Sequence, residues 1–184
     1  TGRLQEYSVQ QLVDCDEQNF VCAGGWMYEA YEYTAEHGIE LKGDYHKYRH
    51  GKGTCKQGKH FHYKNTGMEE RDGMQNVDMR RQIVRQPIGV GIYATGMLQS
   101  YRSGSVTEEF LHGSAADNDV NHGVAVVGFG RHHDERTRGH CDHYWIIRNS
   151  WGRSWGEKGF FKLCADDPFS EDKPFGTCHV NEWG

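Results

Sequence analysis

With 184 residues, the chain is long enough for one domain or two small ones sharing a cleft. Apolar residues make up 36% of it, 24 residues are glycine and the mean hydropathy is −0.85, the profile of a turn-rich chain with a lean core. A net charge of −5 with both signs interspersed argues against a nucleic-acid partner, and no apolar run approaches the ~20 residues of a membrane span.

Ser8-Val9-Gln10-Gln11 has the form of a capping box, with Ser8 as N-cap, and opens an expected helix over 9–15. A loop follows and ends in Cys22-Ala23-Gly24-Gly25, where paired glycines signal unusual backbone angles or a close approach by another chain. Residues 26–37 carry a helical pattern, with Trp26, Ala30 and Tyr33 on one face, Met27 and Tyr31 beside it, and Gly38 as the terminator. Residues 41–72 are polar, glycine-rich and without a long period, which predicts a loop-rich excursion. A short helix is expected over 78–86, stopped by Pro87, and then a strand over 88–94. A turn with a short aromatic segment (96–105) and a polar loop (107–120) lead to Asn121-His122-Gly123 and the apolar run VAVVGFG, a buried strand over 124–130.

The last organised stretch is YWIIRNSWGRSWG, 144–156. Its first five residues are aromatic and β-branched and read as a strand, while 160–163 reads as the returning strand of a hairpin with Trp151 and Trp155 in its glycine-bounded turn. The front of the chain is therefore helical and loop-rich, and the back, from about residue 72, is mostly strand. A His at a strand start and an Asn at a strand end, His122 and Asn149, meet if those strands are neighbours in one sheet.

Six cysteines in a chain of this size favour an oxidising compartment over a set of reduced buried thiols. No Cys-x-x-Cys pair is present, so a structural zinc site is not expected. His132, His133, Asp134, His140 and His143 fit no zinc spacing and read as a solvated, charged loop; neither a metal nor another cofactor is expected. The chain starts at Thr1 without an initiating Met or a signal-peptide pattern, so it reads as a processed product or a piece of a longer polypeptide.

Five segments, in order, resemble the papain-like cysteine proteases. TGRLQEYSVQQLVDC is similar to that family's TGxLxxLSxQxLVDC, and CAGGW to its Cys-x-Gly-Gly turn. QPIGVGIYA is similar to its GPVSVAI strand, NHGVAVVGFG to its His segment, and YWIIRNSWGRSWGEKGFFKL to its Asn segment. The resemblance implies an α+β, two-lobe fold, with 1–71 the remainder of a helical lobe, 72–184 an antiparallel β-barrel-like lobe, and a site in the cleft between them. It implies His122 as acid/base and Asn149 as the residue that orients it, a Cys-His-Asn variant of triad logic. Trp151 would shield the His–Asn hydrogen bond and line the leaving-group side, although packing alone also explains Trp151 and Trp155. Gly24 and Gly25 would offer backbone to an extended peptide, Trp26 and Met27 would border the pocket for its second residue, and Asn121 and Gly123 would flank the His at the substrate face. A Trp at 183 would narrow that pocket.

The resemblance also implies a Cys15–Cys55 disulfide, and it leaves Cys22 and Cys178 without their usual partners. Cys141 and Cys164 lie at opposite ends of the predicted hairpin and would bridge it, with Cys164–Cys178 the other option. No CGSCW-type nucleophile segment occurs in these residues. The family spacing of roughly 130–150 residues from Cys to His puts that position about 8 to 28 residues before Thr1. A second chain, or a segment of a longer polypeptide, is therefore expected to supply the Cys-bearing helix on which the front helices would pack, so that the helical lobe is incomplete here. The two readings that follow are a cysteine endopeptidase (or the larger piece of one) acting on peptides or proteins in a lysosomal, vacuolar or extracellular setting, and an inactive papain-fold subunit of a larger intracellular assembly.

Overall fold

The computed structural model describes residues 4–56, 63–71, 73–107, 120–132 and 141–165. The chain divides into two compact units, Thr1–Glu69 and Glu70–Gly184. No helix among the described residues is long and apolar enough to cross a membrane.

In the first unit, α1 spans Val9–Cys15 and α2 spans Met27–His37. Ser8 Oγ accepts the Gln11 backbone N–H at 3.1 Å, as the capping box requires. The return half of the box is absent: the Ser8 N–H donates to the Glu40 carbonyl, and the Gln11 side chain points elsewhere. Gln11 Nε2 donates to Tyr33 Oη and to the Gly38 carbonyl at 3.2 and 3.1 Å, and its Oε1 accepts the Glu40 N–H at 2.8 Å. A fully buried carboxamide thus ties α1 to α2 and to the chain beyond it. Helix α2 starts one residue later than expected. Trp26 is its N-cap, and Trp26 and Tyr31 are exposed, so of the predicted apolar face Tyr33 carries the burial. Gly38 ends the helix at φ +75°, which favours glycine.

The apolar cluster of this unit is small: Cys15, Tyr33 and Tyr45, with Leu12 against them. Polar wiring does much of the holding. Gln10 donates to the Gly51 carbonyl and accepts the Arg49 N–H, Asp14 accepts from Gly53, and the Cys15–Cys55 disulfide closes the same loop. The loop-rich excursion of 41–56 is therefore pinned onto one polar face of α1.

In the second unit, α3 (Asn76–Ile83) precedes the strands β1 (Ile88–Ile92), β2 (Ser105–Val106), β3 (His122–Arg131), β4 (His143–Arg148) and β5 (Phe160–Ala165). They form one sheet in the order β1-β3-β4-β5-β2, antiparallel except for β2 against β5. Alternation sends Trp145 and Ile147 of β4 inward, where they join Val90, Val126, Phe161 and Leu163 and are covered by Met79 and Ile83 of α3. Gly130 lies under the Tyr144 ring: a β-carbon there would fall 2.6 Å from it.

The β4–β5 connection closes through glycines at positive φ, +87° at Gly152, +53° at Gly156 and +94° at Gly159. It is anchored by Glu157, whose carboxylate accepts from Tyr101 Oη at 2.7 Å and from Lys162 Nζ at 3.1 Å. Burial alone would raise the Glu157 pKa, but these two bonds outweigh it and hold the carboxyl below its ordinary range. Glu157→Ala is expected to lower stability by about 1 kcal/mol, and Glu157→Gln, which keeps an acceptor for Tyr101, by less. Thermal unfolding of the two variants checks both the size and the order.

Two further expectations meet the structure here. Cys141 pairs with Cys164, not Cys164 with Cys178. His132 is not solvated: it is buried, its Nε2 lies 2.7 Å from Ser105 Oγ, and its ring packs 4.7 Å from that of Tyr144. His133, Asp134, His140, Cys178 and Trp183 lie outside the described residues.

Candidate active site

The antiparallel β3–β4 ladder pairs Ala125 with Arg148, so the start of β3 and the end of β4 share one end of the sheet. His122 and Asn149 stand at that end. His122 Nε2 lies 2.9 Å from Asn149 Oδ1. The orientation of the carboxamide is set by a neighbour: the Ser150 backbone N–H, which can only donate, faces the same oxygen at 2.7 Å. With Oδ1 fixed as acceptor, the imidazole donates through Nε2, and Nδ1 is the nitrogen left for other chemistry. Asn149 is 6% exposed, and its Nδ2 is buried without a hydrogen bond among the described residues.

Trp151 lies over the imidazole, with ring centroids 5.1 Å apart and planes 31° from parallel. Trp155 meets Trp151 edge-on at 5.0 Å and is itself fixed by donation from its Nε1 to the Gln99 carbonyl at 3.1 Å. Trp151 also packs against the apolar core, so packing and shielding of the His–Asn pair coincide in one side chain.

Asn121 spends its side chain on the fold. Its Oδ1 accepts the Ala94 N–H at 2.8 Å and its Nδ2 donates to the Ala94 carbonyl at 3.1 Å. This adds a side-chain rung to the ladder just beyond the Ile92–His122 pair and steadies the backbone from which His122 projects. Gly123 pairs with Gly91 in the same ladder.

In the first unit, Gly24 and Gly25 follow a short 3-10 turn at Val21–Ala23 and have φ of +111° and +156°. Both are exposed, Trp26 stacks on Tyr28 with centroids 6.3 Å apart, and Met27 begins α2. Of the described cysteines, Cys15, Cys55, Cys141 and Cys164 are in disulfides, and Cys22 is free and exposed. No group of three or more His, Cys, Asp or Glu side chains among the described residues is arranged to hold a metal. The pair His122–Asn149 is thus equipped to hold and pass a proton through one fixed imidazole tautomer. The Ser150 N–H that sets the carboxamide is a backbone group with no signature of its own in the sequence.

The family model for the papain family cysteine proteases matches residues 1–182. A probable cysteine protease of Arabidopsis thaliana, RDL2, is 36% identical over 190 aligned positions, which cover 98% of this chain and 47% of that protein. Zingipain-2 of Zingiber officinale is 32% identical over 100% of this chain and 76% of its own length. The chain thus spans about half the length of several curated relatives it matches. Among solved structures, the bromelain protease of Ananas comosus in complex with the E64 inhibitor superposes with a TM-score of 0.79 at 29% identity, covering all of this chain and 78% of that one. The digestive procathepsin L2 proteinase of Tenebrio molitor does so with a TM-score of 0.82 at 26% identity, covering 99% of this chain and 53% of that one. The fold is α+β and papain-like, with α1 and α2 as the described helices of a sparse helical side. On the match along nearly its whole length, the chain belongs to the papain family of cysteine proteases.

Proposed function

We propose that this chain carries the acid/base half of a papain-type cysteine endopeptidase, with His122 and Asn149 as its catalytic pair. The observation that carries the reading is the 2.9 Å bond from His122 Nε2 to Asn149 Oδ1 beneath Trp151. In this reading a thiol, supplied by a segment or second chain outside these 184 residues, loses its proton to His122 Nδ1 and attacks the peptide carbonyl carbon as thiolate. The tetrahedral adduct collapses to a thioester as the C–N bond breaks, and the imidazolium returns the proton to the leaving amine. Asn149 keeps the ring in the tautomer and orientation both steps need. Gly24 and Gly25 offer backbone to the substrate, and Trp26 and Met27 border its second residue. The two disulfides support a lysosomal, vacuolar or extracellular setting.

The test is labelling of the full-length protein with an epoxide of the E64 type, followed by peptide mapping. The expected result is one labelled cysteine, lost when the protein is first alkylated, together with hydrolysis of an N-blocked dipeptidyl coumarylamide. An intact protein that takes no label and cleaves no peptide would instead be an inactive papain-fold subunit, and the endopeptidase reading would fall.

A further inference from the structure

The glycine turn of the first unit is held by a side chain that sequence reasoning passed over. Asn19 Oδ1 accepts the Trp26 N–H at 2.6 Å, and Asn19 Nδ2 donates to the Trp26 carbonyl at 3.2 Å. One carboxamide therefore serves both backbone groups of Trp26, as a neighbouring strand would. The second Nδ2 proton goes to Asp16 Oδ2 at 2.7 Å. Asp16 is buried, and its other oxygen accepts the backbone N–H groups of Gln18 at 3.0 Å and Asn19 at 3.4 Å. The chain of support runs from a buried carboxylate, through a fully used amide, to the residue after the glycines.

Gly25 sits inside this arrangement. Its φ of +156° is at the edge of what other residues adopt, and a β-carbon there would fall 1.9 Å from Asn19 Oδ1. The Asn19 amide occupies the space a side chain at 25 would need. The Gly24 carbonyl is also spent, accepting the Phe20 N–H at 3.0 Å. The Gly25 N–H and C=O make no hydrogen bond among the described residues, and Gly25 is exposed. With the Gly24 carbonyl and both backbone groups of Trp26 occupied, Gly25 presents one donor–acceptor pair in a fixed conformation. That is the spacing with which an extended peptide pairs to a strand edge.

We infer that Asn19, braced by Asp16, is the positioning residue of a peptide-binding edge at Gly25. The inference rests on the endopeptidase reading and adds to it what holds the substrate-facing backbone in place. Asn19 touches no reacting atom; it acts through Trp26 and Gly25.

The test uses the full-length protein and three variants. Asn19→Asp removes both Nδ2 donations and sets a second carboxylate against Asp16. Asn19→Ala removes the brace outright. The exchange Asp16→Asn with Asn19→Asp reverses the donor and acceptor of the link, retains acceptors for the Gln18, Asn19 and Trp26 N–H groups, and loses only the donation to the Trp26 carbonyl. Both single variants are expected to raise KM for an N-blocked dipeptidyl coumarylamide about tenfold with kcat within about twofold, because a bond made equally in ground and transition state is lost. The exchange variant is expected to return KM to within about threefold of the parent. Alkylation of the active thiol by iodoacetamide, which needs no peptide-binding edge, is expected to proceed at the parental rate in all three. An unchanged KM in Asn19→Asp overturns the inference, as does a fall in alkylation rate that the exchange does not restore, since that marks general damage. A parent protein that cleaves no peptide overturns the endopeptidase reading and the inference together, whereas an active parent with indifferent variants overturns the inference alone.

Discussion

Alanine at position 122 is expected to lower kcat/KM for peptide hydrolysis by the full-length protein at least about 1,000-fold, with KM little changed. The reason is specific to the ring. His122 would serve as both the base that takes the thiol proton and the acid that delivers it to the leaving amine, so its loss removes two steps at once. Asn149→Ala is expected to cost less, on the order of 100-fold, because the imidazole remains and only its tautomer and orientation are released. Asn149→Asp separates orientation from charge: a carboxylate still accepts from His122 Nε2 and from the Ser150 N–H, but it stabilises the imidazolium. The expected signature is a smaller loss of kcat/KM than in Asn149→Ala, because the acceptor that orients the imidazole is kept. Steady-state kinetics of the three variants decide the matter, and a His122→Ala protein within about tenfold of the parent would remove His122 from the chemistry.

The largest expected loss of stability from a single polar side chain is at Asp14. Its carboxylate is 3% exposed and accepts from Gln10 Nε2 at 2.7 Å, the Gly53 N–H at 2.6 Å and Tyr45 Oη at 3.1 Å. Asp14→Ala removes the acceptor of two buried donors, Gln10 Nε2 and Tyr45 Oη, and of the half-buried Gly53 N–H, and is expected to cost about 3 kcal/mol in chemical denaturation, with less than about 1 kcal/mol refuting the assignment. Burial alone would raise the Asp14 pKa, yet the bonds from Gly53, Gln10 and Tyr45 outweigh it and hold the carboxyl below the ordinary range. A folded-state pKa below the unfolded one stabilises fully above the unfolded value, about 3.9, and the gain fades as pH falls through the folded value. The gap between parent and Asp14→Ala is therefore expected to be widest near neutral pH and to narrow in acid below about pH 4.

The sheet and the His–Asn juxtaposition were legible because their cues are local. An apolar β-branched run, a period of two and turn glycines place β3 and β4 within a residue or two, and antiparallel neighbours bring His122 beside Asn149. What escaped depends on partners far along the chain. Gln11 occupies the capping-box position, but the pull of Tyr33, Gly38 and Glu40 turns its amide across to α2 instead of back to Ser8. His132 sits at the head of a charged run and looked solvated; Ser105, 27 residues earlier, and Tyr144 bury it. Trp26 looked like one of a helix's core residues and is its exposed N-cap, because the Asn19 amide takes its backbone. Asn19 has no signature of its own in the sequence, since a lone Asn in a loop has many ordinary explanations.

The β3–β4 register has a practical consequence for anyone who wishes to modify this protein. Arg131 pairs with His143 at one end of the ladder, and Ala125 pairs with Arg148 at the other, about 20 Å away at the usual rise per residue. The His132 N–H donates to the Asp142 carbonyl just beyond the Arg131–His143 pair, so β3 ends and β4 begins at the end of the ladder remote from His122 and Asn149. The number of residues between those two is therefore not what holds them together; the ladder is. One residue added within β3 or β4 slips the ladder and parts His122 from Asn149.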